Sequence, residues 1–375
     1  MLVHISKDCL TIAIQHVLKA VSASTPVPIL TGIHIQAFDE EVILTASNSS
    51  LTIQYRISQH QTMNVLRPGR IVIPAKYMYE VVRKCDKGII TLEVVDPRVL
   101  TIRTEHSFIR LSGMDPEEFP VIHDVTNFSK LQIQLNSVQF NSCIKQVTGV
   151  VSTAENRPVL TGVRLSYSNE LLHMTATDGI RFASRTLKVE NKTNISGSAI
   201  VPGKNLYEVS KILDHEEHTV EIEIGLKLIR FTSQNIVIQS NLLEGVYPVT
   251  HSVIPTSCIS DVIVNTSLLM QALERATVLA SERVVRIEAT SNNLEIKSTL
   301  DMIGDVLDQV PMNKHIGEHF NISFNGKFLK DIINSITSDD VRIQFTGKMS
   351  PLVIQPLDEK LGDTIFLITP VRTAI

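Results

Sequence analysis

Three short stretches of the chain carry residue types that could do chemistry. Gly197-Ser198-Ala199-Ile200-Val201-Pro202-Gly203-Lys204-Asn205 has the glycines and lysine of a phosphate-cradling loop. Such a loop needs four residues between its glycines, free backbone N–H groups, and Ser or Thr after the lysine to meet magnesium. Here five residues intervene, Pro202 removes an N–H, and Asn205 takes the Ser/Thr place, so that chemistry is excluded. His215-Glu216-Glu217-His218 offers metal-ligating side chains, but zinc hydrolysis requires histidines four apart on one helix face. The tetrad falls between a predicted helix and a predicted strand and reads as a solvated turn. Asp178-Gly179 beside Arg181 places an acid near an anion binder, without a base or nucleophile at a usable spacing, and Asp-Gly is a common tight-turn pair. No GxSxG, dinucleotide fingerprint or nucleophilic-cysteine signature is present. Cys9, Cys85, Cys143 and Cys258 form no CxxC pair and read as reduced, mostly buried thiols of a cytosolic protein. With no tryptophan and 5 % aromatic residues, stacking platforms for single-stranded nucleic acid are unsupported. Neither an enzyme nor a metal or cofactor is expected.

The elements that would position any site are more informative. At 375 residues, 43 % hydrophobic and 20 % charged, the chain has the composition of two or three ordinary globular domains. Pro28-Ile29-Leu30-Thr31-Gly32-Ile33 returns as Pro158-Val159-Leu160-Thr161-Gly162-Val163, 130 residues on. Ile73-Pro74-Ala75-Lys76-Tyr77-Met78-Tyr79-Glu80-Val81 returns as Val201-Pro202-Gly203-Lys204-Asn205-Leu206-Tyr207-Glu208-Val209, 128 residues on. Met114–Pro120 likewise answers Leu242–Pro248. A more divergent third copy begins after Pro255, where Asn325-Gly326-Lys327-Phe328-Leu329 echoes Pro202–Leu206. Three repeats therefore account for nearly the whole chain.

Each repeat reads as strand–helix–three strands, twice over. Period-two patterning marks Leu2–Ile5, Gly32–Ala37, Glu41–Ser47, Leu51–Ile57, Gly69–Ile73, Ile89–Val95, Val99–Thr104 and Ser107–Met114 as the strands of the first copy. The second copy opens with the strand Leu131–Leu135 and contains a meander from Arg157 to Arg185. Helices are predicted over Ser6–Ala23, Pro74–Cys85, Asn136–Val151, Gly203–Leu213, Asn265–Leu279 and Asn325–Ile336, with Ser6 as a cap and Pro74 as a first helical residue. Their expected apolar faces include Leu10, Ala13, Ile14, Val17, Leu18 and Val21; then Tyr77, Val81 and Val82; then Leu268, Leu269, Ala272, Leu273 and Ala276. The six helices hold eleven Lys and Arg against five Asp and Glu, although the whole chain has a net charge of −4. A basic set of helices in an acidic body would draw phosphates to one surface; Lys-rich wet helix faces are the ordinary alternative. The N-terminus, MLVHISKDCL, lacks a signal peptide's apolar core, and no run approaches a membrane span, so a cytoplasmic location is expected.

The motifs RPVLTGVRL, TATDGIRFASR, VPGKNLYEVSKIL, LLEGVYPVTHSVIP and ITPVR resemble the bacterial DNA polymerase III beta-subunit family, the replicative sliding clamps, over nearly the whole length. The resemblance implies an α+β fold of three repeated clamp domains, 1–125, 126–252 and 253–375. It implies two chains joined head to tail into a ring, with helices inside and antiparallel sheets outside, around duplex DNA. DNA polymerases and the clamp loader would dock through short peptide motifs. The competing reading is an enzyme or small-ligand protein on the same triplicated scaffold, since fold does not fix function.

Carried over by motif, the partner-peptide pocket would comprise Leu160, Thr177, Gly179, Ile180, Arg181, Phe182, Pro248, Val253, Leu367, Pro370, Val371 and Arg372. Lys76, Arg83, Lys84, Lys145, Lys204, Lys211, Lys327 and Lys330 would face DNA, and Ile109 and Leu111 would meet Val278 and Leu279 of a second copy. Each has a structural alternative: Leu160 and Phe182 as sheet core, Gly179 as a turn residue, the four seam residues as ordinary core. The chain departs from the family at Ile180, where histidine is frequent, and Arg110, Thr369 and the short turn Ala280–Arg283 are also individual. These differences bear on ring closure and partner preference.

Overall fold

The computed structural model describes residues 1–22, 25–60, 62–120, 128–168, 170–191, 196–213, 217–357 and 363–372. The expected domain boundary at 125/126, the helix end at Ala23, the turn residue Asn169, His215 and Glu216, and the last three residues lie outside these. Six times among the described residues a strand runs directly into a helix. The helices are α1 (Lys7–Val17), α2 (Ala75–Lys84), α3 (Ser137–Thr148), α4 (Gly203–Ile212), α5 (Thr266–Val278) and α6 (Gly326–Asn334). Polar residues at strand ends satisfy the first free N–H groups. Ser6 Oγ accepts from Cys9 N at 3.2 Å, Asn265 Oδ1 from Leu268 N at 3.0 Å, and Asn325 Oδ1 from Lys327 N at 3.1 Å. Such caps contribute about 1 kcal/mol each. Pro74 is the extended residue before α2, with ψ 117°, and not its first helical residue.

Helical faces follow the 3.6-residue period, with two corrections. In α2 the inward row is Ala75, Met78 and Val82, which turns Tyr77 out to 61 % exposure. In α5 Leu269, Ala272, Leu273 and Ala276 are buried, and Leu268, one step around the helix, is 45 % exposed. Of the cysteines, all free, Cys85 and Cys143 are buried, Cys9 is partly exposed and Cys258 is exposed. The expectation of mostly buried thiols therefore holds for only half of them.

The chain divides into two compact units, residues 1–137 with 211–242, and 138–210 with 243–375. The first holds an antiparallel sheet in the order Met63–Arg67, Leu2–Ser6, Ile89–Asp96, Val99–Arg103, Phe108–Ser112. Its second sheet runs Phe128–Asn136, Thr219–Gly225, Leu228–Ser233, Ile236–Asn241, Leu51–Ser58, Glu41–Ser47, Gly32–Ala37, Gly69–Pro74. The other unit holds twelve strands in the order Gly197–Pro202, Gly162–Ser168, Leu171–Thr177, Arg181–Lys188, Thr364–Ile368, Leu352–Pro356, Asp340–Phe345, Ser260–Asn265, Gly304–Gly317, Asn293–Leu300, Val284–Ala289, Phe320–Asn325. The Gly197–Pro202 stretch is thus a paired edge strand, which accounts for its glycines without a phosphate loop. Two strands, Met63–Arg67 and Gly304–Gly317, were not expected from the sequence.

Repeated words fold into repeated packing. Thr31 and Thr161 each donate through Oγ1 to a proline carbonyl three residues back, at 2.7 Å in both. The glycine that follows admits two side chains. A Cβ on Gly32 would lie 2.5 Å from Val72 Cγ1 and 2.7 Å from Met114 Cε; on Gly162 it would lie 2.7 Å from Ile200 Cγ2 and from Leu243 Cδ1. Met114 N–H donates to Val72 O, and Leu243 N–H to Ile200 O, each at 2.8 Å. Junctions between copies also repeat in register. Leu51 stands opposite Ser240 in one unit, and Arg181 opposite Ile368 in the other.

Candidate partner-binding site

The turn Asp178–Arg181 is built by its own carboxylate. Asp178 Oδ1 accepts from Ile180 N at 2.9 Å and Arg181 N at 2.7 Å, while Oδ2 accepts from Arg181 Nε at 2.9 Å. Gly179, with φ 92°, supplies the left-handed residue that closes the turn. Ile180 is thereby directed outward at 46 % exposure. Arg181 goes the other way. It is only 7 % exposed, its Nη1 donates to Asp331 Oδ2 at 3.3 Å, and its guanidinium carbon lies 4.1 Å from the Phe328 ring centroid. Its charge is spent inside the protein, where it ties the turn to α6.

Strand Arg181–Lys188 pairs on one side with Leu171–Thr177 and on the other with Thr364–Ile368, so Phe182 stands opposite both Thr177 and Leu367. Phe182, Val353 and Leu367 form a buried apolar cluster, with Ile254 and Ile365 packed against it. Thr369 N–H donates to Ile180 O at 3.0 Å, and Val371 N–H is anchored to Ser323 O at 2.8 Å.

A third segment is fastened by Tyr247. Its side chain is buried, its Oη accepts from Thr177 N–H at 3.1 Å, and burial pushes the phenol up to about 12. Gly245, with φ 132°, sits where a Cβ would lie 2.7 Å from Val159 Cγ1. With Tyr247 turned inward, its neighbours Val246 and Val249 are left 90 % and 76 % exposed.

The expected pocket residues separate into two groups. Leu160, Phe182 and Leu367 are buried, Thr177 and Pro370 half-buried, and Arg181 locked inside; Gly179, Ile180, Pro248, Val253, Val371 and Arg372 are exposed. Contacts join Thr177 to Tyr247, Ile180 to Thr369, and Phe182 and Leu367 to Ile254. Sequence reasoning missed Tyr247, Val246, Val249, Phe328 and Asp331. Tyr247 had a signal, since it answers Phe119 of the first copy, whose side chain is also buried. The result is a rigid floor under exposed Val, Ile and Pro side chains, suited to holding an apolar peptide and supplying no acid–base chemistry.

The basic residues sit on wet helix faces. Lys76, Arg83, Lys84, Lys145, Lys204, Lys211 and Lys327 are exposed and Lys330 is half-buried. Arg83 and Lys84 both pair with Glu80, at 2.9 and 3.4 Å. Of the seam residues, Val278 is 74 % exposed, which removes it from the core, and Leu279, Ile109 and Leu111 are half-buried.

Three family models match the chain: DNA polymerase III beta subunit N-terminal domain over residues 1–123, central domain over 134–249 and C-terminal domain over 251–368. A beta sliding clamp of Bacillus subtilis is 36 % identical over 378 residues, covering 98 % of this chain and 99 % of the relative. One of Halalkalibacterium halodurans is 37 % identical over 382 residues, with 98 % and 99 % covered. The crystal structure of the DNA polymerase sliding clamp from Bacillus subtilis superposes with a TM-score of 0.93 at 36 % identity, both chains covered fully. That of the beta subunit from DNA polymerase of Streptococcus pyogenes gives 0.93 at 28 % identity, again over both whole chains.

Proposed function

The chain belongs to the DNA polymerase III beta-subunit family, and we propose from that premise that it is a DNA sliding clamp. In this reading two copies join head to tail into a cytoplasmic ring of three domains each, divided at 125/126 and 252/253. The ring encircles duplex DNA and tethers DNA polymerase III and other polymerases, with no catalysis of its own. Polymerase and clamp-loader subunits dock by short apolar peptides on the surface around Ile180, Pro248, Val253 and Val371. Lys and Arg on the six helices meet phosphates, contacts that position the ring without reading sequence.

One observation carries the assembly. The strand that ends the second copy, Ile236–Asn241, pairs with Leu51–Ser58, and the strand that ends the third, Thr364–Ile368, pairs with Arg181–Lys188. The counterpart ending the first copy is Phe108–Ser112, 128 residues before Ile236, and it lies at the edge of its sheet. The third-copy counterpart of Leu51 and Arg181 is the start of Gly304–Gly317. Its residues 304–311 pair with Asn293–Leu300, and residues 312–317 turn to Ser260–Val264. An edge that closes a junction twice within the chain is thus left open once at each end. Open edges seek partners, and a head-to-tail pairing of unlike edges closes into a ring. Light scattering tests this: a mass near twice 41.7 kDa is expected, and a monomer at micromolar concentration would rule the ring out.

A further inference from the structure

We propose that the hollow between the end of α5 and the start of α6 is a phosphate-binding site. Thr277, Ala280, Arg283, Lys327, Lys330 and Asp331 line a space of about 370 Å³. That is about the volume of a dozen waters, enough for a phosphate group with part of the sugar that carries it. Gly326 lets α6 close on α5, since a Cβ there would lie 2.5 Å from Val285 Cγ2 and 3.0 Å from Thr277 Cγ2. Lys327 and Lys330, three apart, share one face of α6. Arg283 enters from the turn Ser281–Arg283, where two successive residues with side chains, Glu282 (φ 49°) and Arg283 (φ 65°), take left-handed conformations. Backbone of that kind is costly and recurs at binding sites.

The charge arithmetic decides the ligand class. Asp331 is the acid of the lining, and Arg181 already answers it at 3.3 Å. Arg283, Lys327 and Lys330 have no ion-pair partner among the described residues. On α2, by contrast, Glu80 occupies both Arg83 and Lys84. The hollow therefore gathers three uncompensated cations, one a guanidinium able to hold two oxygens at once, which is the chemistry of a phosphate mono- or diester. The proposal rests on the clamp reading only in making a duplex backbone the first source of that phosphate.

Lysine acetylation rates on the full chain, read by mass spectrometry, test it with a short duplex and with sodium tripolyphosphate as separate probes. Lys327 and Lys330 should be protected severalfold while Lys348, on an exposed turn, is unchanged. Arg283→Gln should reduce the protection, and Arg283→Lys should restore part of it. Protection by duplex identifies a backbone phosphate; protection by tripolyphosphate alone identifies a small phosphate ligand, and both support the site. Equal rates with and without both probes overturn it. Unprotected lysines on a chain retained by circular DNA would end this proposal and leave the clamp, whereas protection without retention would do the reverse.

Discussion

Changing Val278 to Asp separates the seam from the core. Val278 is 74 % exposed in the single chain, so the substitution should alter folding stability by no more than about 0.5 kcal/mol. In the assembled ring the same position is covered by the partner's first-copy edge strand, where an unpaired carboxylate costs about 3–5 kcal/mol. A two-chain ring has two such seams, so the variant acts twice and the total is about 6–10 kcal/mol. At 1.4 kcal/mol per decade, Kd for dimerisation rises by at least about four decades. Adding Leu279→Asp should deepen the effect, with some loss of stability because Leu279 is half-buried. Urea unfolding and light scattering on the same samples give both quantities. A folded Val278→Asp monomer is expected. A dimer of unchanged mass refutes the seam, and loss of folding refutes the surface placement.

Arg181→Gln removes the counter-charge of Asp178, whose side chain is 11 % exposed, and of Asp331. It should cost about 3 kcal/mol in urea unfolding; a loss below about 0.5 kcal/mol would mean that the strut is not a strut. His34, buried beside Phe119, has its imidazole lowered to about 4, first by burial and then by Arg70. The unfolded state takes up that proton near pH 6.5 while the folded state does not, so stability falls as pH drops from about 6.5 to 4 and levels below. The shift corresponds to about 3 kcal/mol, and His34→Gln should flatten that part of the wild-type profile; parallel profiles would contradict the assignment. Deleting Thr369–Ile375 removes the Ile180–Thr369 and Ser323–Val371 bonds and should abolish binding of a polymerase-derived peptide while leaving the dimer mass unchanged. Unchanged peptide affinity in the folded truncation would displace the pocket.

The triplication was legible because repeated residues meet repeated neighbours: Thr-Gly is followed by the same turn bond and the same close packing in both copies. The strands that escaped notice lack an inward row. Met63–Arg67 buries only Met63, and the fourteen residues of Gly304–Gly317 bury only Val310, so no alternation marks them. Tyr77 and Leu268 were misplaced because apolar type says less about facing than helical phase does. Arg181 shows the deeper limit. Its position in the TATDGIR motif was visible, but its inward role depends on Asp331, 150 residues further on, and no local spacing reveals that.

The central claim is topological linkage to DNA. Protein loaded by a clamp loader on a nicked circle, and on the same molecule made linear, is washed with high salt and the retained fraction measured. Contacts through lysine and arginine weaken steeply with salt on both forms, so they cannot hold the protein on either. Encirclement predicts retention on the circle and loss from the open ends of the linear form; equal loss from both would contradict it.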